Sequence, residues 1–321
     1  MGFSYYVSQT TGDDSNAGTS GSPFETLSHA FWEIGDGIHS ADSTIIINDS
    51  AGYTVRDSVF DTDGNLKNQI TAQADHLTLA LTIKAGDGCT PIIDGSAVAS
   101  PSNVADYAIK AYAGWTIQGI TFRNFGDSDS DIAVHQYSSQ AITIQDCIFH
   151  GITGSAVVFY GAGTVYQRNK IYDCTGIALN AGAGAATVKN NLIYDCGGCA
   201  IYGTDTLAQH NTVHNTPRDG SNYSVGIVNR TNGILVTNAH YNIVVDASCS
   251  SAGLRGTNSH TYNCVNGTYD HNEDDDPTNF HGDVLSTGDI ESDPLFTDEA
   301  ADDFTLGASS PCLEAAVTSS E

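Results

Sequence analysis

The chain has 321 residues, 40% of them apolar, and carries 38 acidic against 11 basic side chains, for a formal net charge of −27. That apolar share is enough for a packed core, while the charge excludes nucleic acid and anionic membrane as partners and fits a solubilising acidic exterior. No apolar run approaches the ~20 residues of a membrane helix, and no basic-then-apolar leader is read at the N-terminus.

The first predicted element is a short strand at Tyr5 to Val7, followed by the turn-rich stretch GDDSNAGTSGSPF. Glycine there tolerates positive φ, and Asp, Asn and Ser bond their own backbone. Pro23 pre-sets φ for a helix start, and Thr26 to Trp32 reads as a short amphipathic helix. Such a segment has the character of a lid over the end of a larger body.

From Gly119 onward one short pattern returns: GITF at Gly119, DCIF at Asp146, NKIY at Asn169, NLIY at Asn191, NTVH at Asn211, NIVV at Asn242 and NCVN at Asn263. The gaps are 27, 23, 22, 20, 31 and 21 residues, too short for helical-pair repeats. A second apolar run recurs in each unit, at Ile132/Val134, Ala156/Val158, Ile177/Leu179, Cys199/Ile201 and Leu254. Two or three short strands per repeat, stacked ~4.8 Å apart, would pair every strand and bury a continuous apolar column. The prediction is an all-β, single-stranded parallel β-helix. Asn169, Asn191 and Asn211 hold the turn of successive units and are expected to form a buried amide ladder.

The opening YYVS…GDDSNAGTSGSPFETLSHA, TIKAGDGCTPIIDGS from Thr82, GWTIQGITF from Gly114 and the closing DPLF…DDFTLGASSPC resemble the right-handed parallel β-helix, or pectin-lyase-like, superfamily across nearly the whole chain. The resemblance implies a right-handed solenoid with a helix-containing N-terminal cap and an irregular C-terminal cap. The expected division is a cap and first coil over 1–40, a β-helix over 41–270 and a closing segment over 271–321, all one domain. It does not imply one chemistry, because lyases, hydrolases, epimerases and viral spikes share the scaffold. The Asn-Thr-Asp, Asp-Asp, Gly-His-Gly and Arg-Ile-Lys motifs of polygalacturonase-like enzymes are absent from the repeats, as is the Asp-Pro-His-Asp of mannuronan epimerases.

Two long insertions, NFGDSDSDIAVHQ and NTPRDGSNYSVG, leave after equivalent strands and could wall a groove. The outward row of the neighbouring strand reads His135, Phe159, Asn180, Tyr202, Arg230 and Arg255. Aromatic faces stack on pyranose rings while Arg, His and Asn bond hydroxyls, so His135, Phe159, Tyr202, Arg230, Arg255 and Arg218 form the candidate glycan face. A one-residue slip would turn that row inward. Asp127, Asp129 and Asp131, at alternate positions, are the candidate ligands for Ca²⁺, the one cofactor the sequence offers, although the loop departs from the EF-hand pattern.

A lyase needs a base and a cation to neutralise a uronate, and Arg168, Lys170, Lys189 and Arg230 are the candidates for that chemistry. Phe122, Phe149, Tyr172 and Tyr194 read as a second outward column, with two uses open: cover by the C-terminal tail, or contact with another subunit. The eight cysteines read mainly as small buried side chains, and Cys174 and Cys196, at the same place in consecutive units, are expected to stay thiols. Two functions fit: a virion- or cell-surface β-helix that binds glycan or serves as a rigid spike, in contact with other surface proteins or copies of itself, and a secreted polysaccharide lyase or glycoside hydrolase.

Overall fold

The computed structural model describes residues 3–35, 42–50, 52–54, 80–95, 107–112, 114–125, 132–136, 139–182, 184–196, 200–203, 205–214, 227–228, 238–245, 248–249, 254–255, 259–266, 269–270 and 287–313. They fall into two compact units, 1–165 and 166–321. Each unit is built from three parallel sheets that the chain visits in turn, so it is a parallel β-helix as the repeat predicts. None of the described helices is long and apolar enough to cross a membrane.

In the first unit, the first sheet stacks Phe3–Val7, Ser43–Ile47, Leu81–Ala85, Thr116–Gln118 and Thr143–Gln145. Its alternation sends Ile45, Ile83, Ile117 and Ile144 inward in register, each at most 1% exposed. Burying such a side chain stabilises by about 1.5–3 kcal/mol, so the column is a main source of this unit's stability. The second sheet pairs Ile92–Asp94, Thr121–Arg123 and Ile148–Ile152, and the third pairs Tyr107–Ala111, Ile132–Gln136 and Ser155–Val158.

One end of this unit is closed by the helix Leu27–Gly35. The Asp14 carboxylate accepts the backbone N–H groups of Glu25 and Thr26, and the Thr26 hydroxyl accepts the N–H of His29, which satisfies the exposed donors of the first turn. Leu27, Ala30, Phe31 and Ile34 make the apolar stripe and are buried, and the Phe31 ring stacks on Trp115 at 5.8 Å. The turn-rich opening is therefore what positions the lid.

From Gly119 onward the turns between the first and second sheets pass through a left-handed residue: Gly119 and Asp146 in the first unit, Arg168, Asn190, His210, Tyr241 and Tyr262 in the second. The residue after it is buried, and two residues further on the chain again points inward. By that count Phe122 and Phe149 match Ile171, Ile193 and Val213 rather than Tyr172 and Tyr194. Phe122 and Phe149 are fully buried and stack at 4.9 Å, so the sequence reading of them as outward was one residue out. The left-handed position sets the register, and it accepts chemically unlike residues.

The second unit carries the expected ladder and extends it. Each asparagine oxygen accepts both the backbone N–H and the side-chain amide of the asparagine one coil earlier, through Asn169, Asn191, Asn211, Asn242 and Asn263, at 2.9–3.1 Å. The amides of Asn191, Asn211, Asn242 and Asn263 also donate to Tyr166, Val188, Ala208 and Ala239 carbonyls. Asp289 ends the column, its carboxylate accepting from both nitrogens of Asn263. Outside the same turns, the rings of His210, Tyr241 and Tyr262 stack at 5.0 and 5.1 Å.

The closing segment runs back over this unit. Phe296–Asp298 and Asp303–Leu306 form an antiparallel pair, and a disulfide joins Cys264 to Cys312. That bond departs from the reading of the cysteines as mainly small buried side chains, because its two halves come from unrelated stretches of the chain. Cys174 and Cys196 lie in register as free thiols, as expected.

Candidate functional site

The third sheet of the first unit presents one outward row. Ile109, Val134 and Val157 point inward in register, which leaves His135 half-exposed and opposite Val158. Past Val158 the strand ends and strict alternation stops. Phe159 turns into the core, fully buried, so it does not belong to a glycan face. Tyr160 takes that place instead, 51% exposed and edge-on to His135 at 6.0 Å.

Gln136 is what holds Tyr160 out. Its buried side-chain oxygen accepts the N–H groups of Tyr160 and Gly161 at 3.1 and 3.0 Å, and its amide donates to the Gln140 carbonyl. A side chain at Gly161 would collide with that amide, so glycine is required for the clamp to close. An aromatic ring fixed this way loses little freedom on binding.

In the second unit the third sheet runs Leu179–Asn180, Ile201–Tyr202, Ile227–Val228 and Leu254–Arg255. Asn180 and Tyr202 stand in register and half-exposed, and the backbone register continues through Val228 and Arg255. Val228 thus occupies the place expected for Arg230, which follows two residues later and lies outside the described residues, as do Arg218, Asp127, Asp129 and Asp131. Among the described residues, no three His, Cys, Asp or Glu side chains group as metal ligands.

The described lyase candidates stand on different elements. Arg168 is an exposed turn residue, Lys189 stands on the outer face of the first sheet opposite Gln209, and Lys170 begins a second-sheet strand. Lys170 Nζ sits 5.1 and 5.2 Å from the ring centres of Tyr172 and Tyr194, which are themselves parallel and 5.1 Å apart. The tail covers this pair: Phe304 lies 5.1 Å from Tyr194, whose hydroxyl donates to Asp302. Burial and the Asp302 charge push the Tyr194 hydroxyl well above its ordinary range. Of the two uses open for this column, cover by the C-terminal tail holds for its Tyr194 end.

The family model described as a right-handed β-helix region matches residues 43–275. The chain belongs to the right-handed β-helix family. No curated protein matches it in sequence. Among solved structures, this β-helix is similar to the pectate lyase Pel9A, with 12% identity, a TM-score of 0.64 and coverage of 96% of this chain and 90% of that one. It is also similar to XylC, solved with xylose, with 13% identity, a TM-score of 0.57 and coverage of 83% and 68%. At such identities the likeness is one of fold.

Sequence reasoning missed a polar row on the second sheet of this β-helix. Asp94, Arg123 and His150 follow one another in register, one per coil, all in the first unit. The signal is the third residue of IID, TFR and IFH, away from the Asn turns where the other basic residues cluster.

Proposed function

We propose that the protein is a β-helix displayed on a virion or cell surface that binds glycan along its third sheet. The observation that carries this reading is Tyr160, an exposed aromatic ring held out by a fully buried glutamine beside His135. A rigid ring flanked by hydrogen-bonding groups is what a pyranose face recognises. Asn180 and Tyr202 repeat the combination in the second unit. The net charge of −27 favours a neutral or weakly charged glycan, unless Ca²⁺ at Asp127, Asp129 and Asp131 bridges an acidic one. The Cys264–Cys312 disulfide is in keeping with an oxidising, extracellular setting.

A second reading, a secreted polysaccharide lyase or glycoside hydrolase, is favoured by one observation: the fold match to a pectate lyase spans most of both chains. A panel of neutral and acidic glycans, with and without Ca²⁺, separates the two by scoring retention and product release together. Tyr160→Ala and Tyr202→Ala should each weaken retention by about 1–2 kcal/mol, roughly five- to thirtyfold. Undiminished retention by the double variant would sink the third-sheet assignment, and release of shortened products would favour the enzyme.

A further inference from the structure

The second-sheet row in the first unit is built like a receptor. Asp94 is nearly buried, with a side chain 8% exposed, and its Oδ2 accepts Arg123 Nε at 2.7 Å. Its Oδ1 accepts the Asn124 side-chain amide at 3.1 Å. An arginine gripped through Nε keeps its two terminal nitrogens for something else. Arg123 is 37% exposed, and among the described residues no protein group takes those nitrogens.

The backbone that carries that fork is held in place on both sides. Asn124 is in the left-handed region, and it is flanked one coil earlier by Gly95 and one coil later by Gly151. A side chain at Gly95 would strike the Asn124 carbonyl and the Phe125 ring, and one at Gly151 would crowd the Asn124 amide oxygen. Glycine is therefore required at both positions for the neighbouring coils to pack against Asn124, which fixes the backbone beside Arg123. On the far side, His150 stands directly opposite Arg123 in the parallel ladder. In a chain with 11 basic and 38 acidic residues, a guanidinium oriented by a buried carboxylate and left half open is a costly use of positive charge if neutralising Asp94 were its whole task.

We propose that Arg123, oriented by Asp94 and assisted by His150, is a binding site for a single oxyanion, a carboxylate or sulfate group. The planar fork of arginine matches two oxygens of such a group with two parallel charge-assisted hydrogen bonds, which lysine does not reproduce. The surrounding negative field resists a polyanion, so the ligand bears isolated charge: an acid substituent on an otherwise neutral glycan, or a small free anion. The site lies on the second sheet and stands independently of glycan binding by the third.

The test is a side-chain NMR titration of the intact protein, following the Arg123 Nε–H and the His150 ring. The probes are monomeric galacturonic acid, its methyl ester and inorganic sulfate. Saturable shifts at Arg123 with the free acid and none with the ester are expected. Arg123→Lys, which keeps a charge opposite Asp94, should weaken that binding by about tenfold or more. Its melting temperature should stay within about 3 °C of the parent, since a lysine still neutralises Asp94. Saturation by sulfate alone, at equal strength, also supports the site and assigns it to free anions. No saturable shift with any probe up to about 20 mM, where even a weak millimolar site would fill, overturns the proposal and leaves Arg123 as a counter-charge. Should Arg123→Lys fail to fold, His150→Gln supplies the second variant, with a several-fold loss of affinity expected and an unchanged affinity counting against the site.

Discussion

Replacing Asn191 by leucine tests the ladder at its best-defined member. The asparagine oxygen accepts two bonds from Asn169, and its amide donates to the Tyr166 carbonyl and to Asn211, all at 2.9–3.1 Å and all buried. Four such bonds at about 1 kcal/mol each are lost, roughly 4 kcal/mol in all. Leucine returns about 1.5 kcal/mol through added apolar burial, so the net destabilisation should be about 2.5 kcal/mol. For a cooperative body of this size that lowers the melting midpoint by about 5–10 °C, and the urea midpoint should fall with little change in slope. A variant that melts with the parent would refute the claim that the amide column, rather than the apolar columns beside it, holds these turns.

The remaining predictions concern the cysteines and two titrating rings. Cys312→Ser opens a disulfide that spans 48 residues and should cost ~4 kcal/mol by the chain-entropy relation; intact-peptide mass spectrometry without reductant should show the Cys264–Cys312 link and none between Cys174 and Cys196. Burial lowers the His210 pKa, so the unfolded chain binds the proton first, and stability should fall as pH drops through about 6.5 and below. His210→Gln should flatten that arm of the stability–pH curve, and an unchanged curve would remove His210 as its source. Tyr194 is shifted the other way, so stability should decline as pH rises past about 10, and Tyr194→Phe should reduce that loss.

The coil architecture was readable because a solenoid repeats its own errors and successes: Asn169, Asn191 and Asn211 announce a column, and the bonds between them are there. Register was harder, because the residue that fixes it carries no chemical signature. Gly119, Asp146, Arg168 and His210 share a backbone conformation and nothing else. Where the first unit puts Ile120 and Cys147 in place of asparagine, the eye aligns GITF and DCIF with NKIY and misplaces two phenylalanines by one residue. Phe159 failed for a related reason, since a two-residue period ends where the strand ends, and only the Gln136 clamp determines that Tyr160 faces out. The Cys264–Cys312 bond spans 48 residues and the Asp94–Arg123 pair joins neighbouring coils 29 residues apart, so neither shows within one stretch of sequence.

The amide column has interchangeable middles and particular ends. Asn191, Asn211 and Asn242 each receive from the coil before, give to the coil after and tie off one carbonyl, so any one of them is a complete link. Asp289 differs, a carboxylate that accepts from Asn263 and carries no side-chain amide to donate onward. A coil copied into the middle of the gene would therefore arrive with its hydrogen bonding already solved, whereas a coil added beyond Asp289 would meet a carboxylate with no amide to offer. Growth of the second unit by internal duplication is open and growth past Asp289 is closed, so the number of its coils is set at that end rather than along the column.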